Sequence, residues 1–391
     1  MKFLKQGDEI SSNIFNQLEE KRLEMLARGV DVINLSIGTP DFTPDEHVMR
    51  AVQEAAMDPE NYKYTLSDIP ELTAAVQRWY ARRYGVTLEP EQIQSVNGSQ
   101  EGIAHICFPF LQPGDLVLCP DPGYPIFTFG PMMAGAEIGL FPLLPENDYL
   151  IDFDSIPDEV ADRAKMMVVS YPCNPMGRTA PREFYEKLVA FAKKHDIIVI
   201  HDNAYSDLVM DGGRGLSFLS VDGAMDIGIE MNSLSKTYNL TGMRISFAIG
   251  NADLINQFRA FRSQIDYGMY RPIQLAAVAA LDGPQELVER NRAGYQERRD
   301  VLCGGLRKAG WNVPDSQATM FVWAKIPDGF ASSTAFVLEL LERAGVLCVP
   351  GDSFGEHGEG YVRFALTAPP ERLQTAVDRI AACGILSGSN Q

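Results

Sequence analysis

Two serines, a lysine and an arginine lie close together between residues 233 and 244. The amine of Lys236 can attack a carbonyl carbon to form a Schiff base. The hydroxyls of Ser233 and Ser235 and the planar guanidinium of Arg244 can hold a phosphate. Pyridoxal phosphate carries both an aldehyde and a phosphate, so it would use the whole stretch. Taken alone, these residues also fit a surface loop with a solvated lysine and arginine.

Further small and polar residues follow in an ordered series of short motifs. In chain order these are Gly38 in S-I-G-T-P, Gly98-Ser99-Gln100, Tyr124 in D-P-G-Y-P, Asn174 in Y-P-C-N-P, Asp202 and Tyr205 in H-D-N-A-Y, and Arg363 in Y-V-R-F-A. Together with the lysine stretch, this series resembles the class I and II aminotransferases, which are fold-type I pyridoxal-phosphate enzymes. The resemblance covers nearly the whole chain, from about Asn34 to Arg363.

The resemblance implies a role for each of these residues. It makes Lys236, Asp202 and Tyr205 catalytic, with Lys236 as the Schiff-base lysine and Asp202 as the partner of the ring nitrogen. It implies a cofactor site formed by Gly98, Ser99, Gln100, Tyr124, Asn174, Asp202, Tyr205, Ser233, Ser235, Lys236 and Arg244. It implies substrate binding at Gly38, Asn174 and Arg363, with Arg363 clamping the α-carboxylate. It also implies a homodimer in which Tyr64 reaches the phosphate of the partner subunit.

The resemblance further implies an amino-group transfer between an L-amino acid and a 2-oxo acid, in a ping-pong cycle. The motifs E-M-N-S-L-S-K-T-Y-N-L-T-G-M-R and A-T-M-F-V-W-A-K-I-P look most like those of alanine–glutamate and LL-diaminopimelate aminotransferases. We therefore expect alanine or LL-diaminopimelate as donor, with glutamate or 2-oxoglutarate as partner. Met176 stands where the family usually has threonine. This difference bears on the detail of the loop or on the substrate, and not on cofactor binding. A carbon–sulfur β-lyase on the same scaffold is the alternative.

The elements that must position these residues are predicted independently of the resemblance. Residues 166–171 and 197–200 are apolar on both faces, as expected for strands of a parallel sheet, and residues 182–194 read as a helix. This is a βαβ unit, in which ligands bind at the carboxyl ends of the strands. Asn174 and Asp202 fall at those ends.

A second anion-binding turn is predicted at residues 97–102. It follows the short strand 93–96 and precedes a helix over 103–110. The first amides of a helix point outward without partners, so a small-residue turn at that end can hold a phosphate. Many such turns bind nothing.

The length of 391 residues and the mixed strand and helix patterns predict an α/β protein of two domains. We expect an N-terminal arm and helix at 1–45, with the helix over 12–28 capped by Ser11 or Ser12. A large pyridoxal-phosphate domain with a mostly parallel sheet flanked by helices is expected at 46–282. The break at Asp282-Gly283-Pro284 precedes a smaller α/β domain at 283–391.

The composition and net charge exclude several classes of binding partner. The chain has 34 basic and 52 acidic side chains and a formal net charge of −18, which argues against nucleic acid and against a DNA-binding regulator. No apolar run of 18 residues or more and no apolar leader are seen, so we expect no membrane and a cytoplasmic location. His195 and His201 lack a third neighbouring ligand, so no metal is expected. The six scattered cysteines are expected as buried thiols.

Overall fold

The computed structural model describes residues 14–387, and these divide into two compact units. The small unit contains the described residues up to Gly38, Tyr295–Ser316 and the described residues from Met320 onward. The large unit contains Thr39–Gly294 and Gln317–Thr319. The division falls at Gly38 and Gly294 where the sequence suggests 45 and 282, so the domain limits stay a proposal. The cap suggested at Ser11 or Ser12 lies outside the described residues.

A seven-stranded sheet forms the centre of the large unit. Its strands are β2 (Ile93–Val96), β3 (Leu116–Asp121), β4 (Glu137–Pro142), β5 (Ala164–Ser170), β6 (Ile198–Asp202), β7 (Gly228–Ser233) and β8 (Ser246–Gly250). Their order across the sheet is β2-β8-β7-β6-β5-β3-β4, and β8 is the one strand of these seven whose direction is opposite to that of the other six. All other strands therefore end at one edge.

The central strands are buried on both faces, because helices cover the sheet. Every residue of β3 and β7 is buried, and Val168 of β5 and Val199 of β6 are fully inaccessible. Strands buried in this way are continuous apolar runs, which is why they are visible in the sequence. The predicted strand–helix–strand unit is present as β5, the helix Arg182–His195 and β6.

The helices of the large unit pack around this sheet. They are α2 (Glu46–Ala56), α3 (Pro70–Tyr84), α4 (Ser99–Ile106), α5 (Ile126–Met133), α6 (Asp158–Ala161), α7 (Arg182–His195), α8 (Ala224–Ile227), α9 (Leu234–Thr237), α10 (Ala252–Arg262) and α11 (Arg271–Asp282). In α3, Pro70 occupies the first turn and Gly85 ends the helix at φ +69°. Proline is preorganised for the first turn, and glycine adopts this left-handed conformation without a steric penalty.

The small unit holds helices α1 (Ile14–Ala27), α13 (Ser333–Ala344) and α14 (Pro370–Ala382). Helix α12 (Glu286–Lys308) starts in the large unit and continues into the small one. Strands β9 (Phe321–Lys325), β11 (Val349–Pro350) and β12 (Tyr361–Ala365) form an antiparallel sheet in the order β11-β12-β9. Strand β1 (Ile33–Asn34) pairs in parallel with β10 (Val346–Leu347). The predicted α/β fold with a smaller α/β C-terminal part is confirmed.

Two further expectations concern single features of the chain. All six cysteines are free thiols, and five of them are buried. Burial raises the pKa of the Cys107 thiol to about 12, so it stays protonated. Among the helices that the structure describes, none combines the length and the apolar character needed to cross a membrane.

Candidate active site

The predicted cofactor residues of the large unit gather at one edge of its sheet. Asp202 ends β6, Ser233 ends β7, and Asn174 and Tyr124 follow β5 and β3 within a few residues. On the far side of β8, Gly98 follows β2. The strands end at this edge because they are parallel, and neighbouring strands lie about 4.8 Å apart. A ligand the length of a few strand spacings can therefore touch several of these residues.

Lys236 lies on α9, a single turn that directly follows β7. The Ser233 hydroxyl oxygen accepts a hydrogen bond from the Ser235 amide (3.1 Å), which caps the turn. It also accepts one from the Ser246 hydroxyl (2.7 Å) on the neighbouring strand β8. Leu234, Ser235 and Thr237 are buried, whereas Lys236 is half-buried. The turn therefore holds the lysine in place while leaving its side chain within reach of a ligand.

Gly98 and Arg244 form a cradle suited to an anion. Gly98 has φ +98°, and a Cβ at this position would lie 2.0 Å from Nη2 of Arg244. Arg244 itself is exposed, and its Nη1 donates to the Thr241 carbonyl oxygen (2.9 Å). Ser99 begins α4, and its buried hydroxyl oxygen has no hydrogen-bond partner among the described residues. Outward amides, an arginine and an unpartnered hydroxyl are what a bound phosphate would satisfy.

Asp202 presents a buried carboxylate at the same edge. It is 8% exposed, and its Oδ1 has no hydrogen-bond partner within residues 14–387. Burial raises the pKa of Asp202 to about 6, although the nearby His201 and Lys236 pull it down. A buried carboxylate oxygen without a partner is costly, so this position favours a cationic or proton-donating partner. A protonated ring nitrogen is such a partner.

Tyr124, Asn174 and Tyr205 line the remaining part of the edge. The Tyr124 hydroxyl donates to the side-chain oxygen of Gln100 (2.9 Å), which links the turn after β3 to α4. Asn174 and Tyr205 are both buried, at 7% and 6% exposure. Met176 is buried within the loop after β5, where Gly177 donates to the Cys173 carbonyl (2.8 Å). Met176 thus packs the inside of the loop that carries Asn174.

A buried network behind Asp202 was not predicted. Glu230 is fully buried on β7, and its carboxylate accepts hydrogen bonds from the hydroxyls of Tyr80 (2.7 Å) and Ser217 (2.9 Å) and from the amide of Phe218 (2.8 Å). Its Oε2 lies 3.0 Å from Nδ1 of His201. Burial opposes ionisation, but these donors outweigh it and hold the pKa of Glu230 below its usual value. A charged residue in an otherwise buried strand is the sequence signal for such a network.

His201 therefore packs with a carboxylate, and His195 likewise lies 2.6 Å from Asp162. In the part of the chain that the structure describes, no group of three or more His, Cys, Asp or Glu side chains is placed to hold a metal ion.

The predicted substrate residues Gly38 and Arg363 both belong to the small unit. The Arg363 guanidinium lies 4.0 Å from the ring centre of Phe321 and 4.7 Å from that of Phe354. Its Nη2 donates to the carbonyl oxygen of Ser36 (3.1 Å). A Cβ at Gly38 would lie 2.5 Å from the Phe321 ring, so the turn approaches this aromatic cluster closely.

Tyr64 does not join the residues at the sheet edge of its own chain in any contact that the structure shows. Its side chain is 78% exposed, and its ring packs edge-on against Tyr267 with the ring centres 5.0 Å apart.

The residues of the large unit fit pyridoxal phosphate on three separate grounds. The Gly98–Arg244 cradle and the unpartnered Ser99 oxygen suit its phosphate, the unpartnered Asp202 oxygen suits its ring nitrogen, and the half-buried Lys236 amine suits its aldehyde. These three features are those of a pyridoxal-phosphate enzyme whose site lies at the edge of a mostly parallel sheet.

Residues 30–380 match the model of the family aminotransferase class I and II, and the chain belongs to this family. It is 42% identical to the LL-diaminopimelate aminotransferase of Dehalococcoides mccartyi over 383 residues, which cover 97% of this chain and 98% of that protein. It is 44% identical to that of Moorella thermoacetica over 374 residues, covering 95% and 96%. Substrate-bound BacF from Bacillus subtilis matches with a TM-score of 0.93 and 36% identity, over 100% of both chains.

The predicted activity and cofactor are confirmed by these relatives. The chain is a pyridoxal-phosphate-dependent aminotransferase with the fold-type I architecture. The alternative of a carbon–sulfur β-lyase is not favoured, because the curated relatives at this identity are aminotransferases.

Proposed function

We propose that this aminotransferase moves the amino group of LL-diaminopimelate to 2-oxoglutarate, with Lys236 and Asp202 as its central catalytic residues. The observation that carries the catalytic part is the placement of the Lys236 turn and the unpartnered Asp202 oxygen at the ends of adjacent strands. The substrate rests on the relatives, which are LL-diaminopimelate aminotransferases. Mixing the holoenzyme with LL-diaminopimelate and 2-oxoglutarate, and measuring glutamate, tests the whole proposal.

The cofactor is held from both ends by residues of the large unit. The phosphate would be held by Arg244, by the hydroxyls of Ser99, Ser233 and Ser235 and by the amides after Gly98, with Gln100 adjacent. Tyr124 would pack against the ring of the cofactor, and its hydrogen bond to Gln100 fixes its position. Asn174 and Tyr205 would hold the polar edge of that ring by hydrogen bonds. When bound, pyridoxal phosphate supplies the aldehyde that receives the amino group and the ring that draws electrons from the substrate.

Asp202 keeps its charged form when a positive group lies against Oδ1. In the chain alone, burial raises the pKa of Asp202 to about 6, and an adjacent cation lowers it again. The carboxylate then fixes a proton on the nitrogen that it faces. The Glu230 network behind the strand holds β6 and β7 in register, because Glu230 and His201 are neighbours across them.

Lys236 performs the proton transfer. Its Nζ takes the proton from the Cα of the amino donor and, in the second half-reaction, gives a proton to the corresponding carbon of the 2-oxo acid. The Ser233 cap and the buried neighbours of the turn keep the amine close to one position, so little ordering is needed when the substrate binds.

Arg363 binds the substrate α-carboxylate, with the backbone near Gly38 in the same unit as a further contact. The rings of Phe321 and Phe354 fix the plane of its guanidinium through cation–π contacts. A guanidinium with a fixed plane can bind a carboxylate through two parallel hydrogen bonds.

The distal end of the substrate distinguishes the candidate donors. A dicarboxylate approaches a chain of net charge −18 against repulsion, and a buried unpaired carboxylate costs several kcal/mol. LL-diaminopimelate carries an ammonium beside its distal carboxylate, and its longer chain reaches polar groups farther away. The hydroxyls of Tyr267 and Tyr270 and the guanidinium of Arg271 are the distal contacts that we propose.

We infer that the enzyme is a homodimer whose sites are shared. Tyr64, Leu66 and Tyr267 are 78%, 71% and 58% exposed and lie together, since Leu66 donates its amide to the Tyr267 carbonyl (2.9 Å). Exposed apolar side chains that adjoin in this way mark an interface, and twofold pairing is the commonest arrangement. Pairing would bring Tyr64 to the partner's phosphate. A cytoplasmic location stays a proposal from the sequence.

A further inference from the structure

The large unit contains a second cleft, and none of its lining residues is a proposed cofactor or substrate ligand. It encloses about 530 Å³, which is within the range of small-molecule sites. Four arginines line it, namely Arg82, Arg83, Arg214 and Arg292. A group of four guanidinium ions is unusual in a chain whose net charge is −18.

The positive charge of this cleft is only half compensated by its lining. Arg83 pairs with Asp207 (2.6 Å), and Arg292 pairs with Glu289. Arg82 donates to the Leu281 carbonyl oxygen (2.8 Å), a neutral acceptor. Arg214 likewise donates to a backbone carbonyl, that of Arg83 (3.4 Å). Four guanidinium ions thus face two carboxylates, and the cleft carries an excess of two positive charges.

Arg83 is an ordered arginine and the least exposed one of this cleft. Its side chain is 14% exposed, and it donates to the carbonyl oxygens of Ser206 (2.9 Å) and Gly215 (3.1 Å). Its guanidinium also lies 4.6 Å from the ring centre of Tyr84. Arg82 and Arg214 are exposed and can turn toward a ligand. One ordered arginine and two exposed arginines that can reorient are suited to binding an anion. Charge-assisted hydrogen bonds contribute most to affinity where the donors are already ordered.

One carboxylate joins this cleft to the catalytic lysine. Asp207 accepts from Nε of Arg83 through Oδ1 and from the Thr237 hydroxyl (3.1 Å) through Oδ2. Thr237 directly follows Lys236 on the four-residue helix α9. An anion bound against Arg83 therefore competes with Asp207 for the same guanidinium charge, which weakens the Arg83–Asp207 pair and changes the support of that helix.

We propose that the cleft binds a small molecule with at least two anionic oxygen groups, carboxylate or phosphate, and that its binding alters turnover through Asp207 and Thr237. The coupling is allosteric in the strict sense, since two separate sites act on one element, α9. The binding step goes beyond the proposed substrate and does not depend on which amino acid the enzyme uses.

Binding is tested on the holoenzyme by calorimetry at low ionic strength. The probes are inorganic pyrophosphate and tricarballylate, a tricarboxylate without an amino or oxo group that could react. We expect one equivalent per chain, and affinity at least about tenfold weaker in the double variant Arg82→Gln/Arg214→Gln, because two charge-assisted bonds are lost. The double variant Arg50→Gln/Arg163→Gln removes the same charge from exposed positions outside the cleft and should bind like wild type.

The two probes also separate the ligand classes. Tighter binding of pyrophosphate assigns a phosphate ligand, and tighter binding of tricarballylate assigns a carboxylate. No heat from either probe, or equal affinity in the cleft variant and wild type, would overturn the site.

Coupling is tested by turnover with and without the tighter probe at saturation. We expect kcat to change at least about twofold in wild type and in Arg50→Gln/Arg163→Gln, and not in Arg82→Gln/Arg214→Gln at the same concentration. Binding without any change in kcat would overturn the link through Asp207. A change that persists in the cleft variant would place the probe at the active site and overturn the proposal as well.

Discussion

Gly98 and Arg244 approach so closely that a Cβ added at residue 98 would lie 2.0 Å from Nη2 of the arginine. The backbone of Gly98 also has φ +98°, which side-chain-bearing residues rarely adopt. Position 98 is thus restricted twice, by conformation and by contact. Both restrictions serve the same purpose, since the cradle needs the arginine close to the amides that follow β2.

Gly98→Ala should weaken cofactor binding without unfolding the large unit. The added methyl displaces Arg244 and strains the turn, so we expect the dissociation constant of pyridoxal phosphate to rise at least about tenfold. The measurement is a titration of cofactor-free protein followed by absorbance. Gly242→Ala is the matched control, because a Cβ there meets nothing within 4 Å. Equal affinities in the two variants would contradict the cradle.

Asp202→Asn should fold and bind cofactor but lose turnover by at least about a hundredfold, since an amide cannot hold the ring nitrogen protonated. The same variant tests the effect of burial in the cofactor-free protein. The folded pKa of about 6 lies above the unfolded value near 3.9, so the protonated form is favoured by folding. The stability that this gives is complete below about pH 4 and is lost as the pH rises to about 6.

The pH test compares Tm values of the cofactor-free proteins between about pH 4 and 7. Wild type should lose stability relative to Asp202→Asn as the pH rises to about 6, and the difference should then level off. Asp154→Asn, at an exposed carboxylate, should follow wild type. Parallel curves for wild type and Asp202→Asn would contradict the raised pKa that we assign to burial of the Asp202 carboxyl.

The strands that carry the site are readable in the sequence because they are buried on both faces. Asn174 and Asp202 could be placed at strand ends from the apolar runs before them, and the structure puts them there. Strand β7 is harder to predict from the sequence, since Glu230 and Asn232 interrupt its apolar pattern. Their side chains are hydrogen-bonded to Tyr80, Ser217 and other residues distant in sequence, and no local pattern shows such long-range pairing.

The limits of some helices and strands differ from those predicted from the sequence, because contacts with distant residues determine them. The sequence predicts a helix over 103–110, but α4 is Ser99–Ile106, because the turn at Gly98 starts it earlier. Residues 30–35 predict a strand, of which only Ile33–Asn34 pair, with Val346 and Leu347 as partners. The run 345–349 is divided between β10 and β11, which pair with different strands. In each case, partners distant in sequence determine where the element starts or ends.

Among donors, LL-diaminopimelate should give the highest kcat/KM and aspartate a value at least about tenfold lower. The reason is the distal end, where an ammonium is tolerated by a chain of charge −18 and a lone short carboxylate is not. The measurement compares kcat/KM for LL-diaminopimelate, alanine, glutamate and aspartate, all with the same 2-oxo acid as acceptor. Aspartate leading by tenfold or more would leave the aminotransferase activity intact but end the substrate proposal.

The double variant Leu66→Asp/Tyr267→Asp should run as a monomer on a sizing column. It places charges on the exposed surface that we assign to the dimer interface. Leu140→Asp is the control, since Leu140 is also exposed (55%) but lies on the edge strand β4, outside the surface that we assign to the interface. A wild-type monomer at micromolar concentration would contradict the dimer.

Sharing of the site is tested by mixing two inactive variants, Tyr64→Ala and Lys236→Ala. Each hybrid dimer has one site with both residues intact, so random pairing should restore about a quarter of wild-type activity. No recovery in a mixture shown to contain hybrids would mean that Tyr64 serves its own chain or no site.

The position of the covalent link to the cofactor tests the assignment of the active site. The holoenzyme is reduced with borohydride, digested, and mapped by mass spectrometry. We predict that the added mass of the reduced cofactor lies on Lys236, that Lys236→Ala yields no adduct, and that Lys187→Ala, at an exposed position on α7, is labelled like wild type. An adduct on another lysine, or a normal adduct in Lys236→Ala, would contradict the assignment of this residue and of the site built around it.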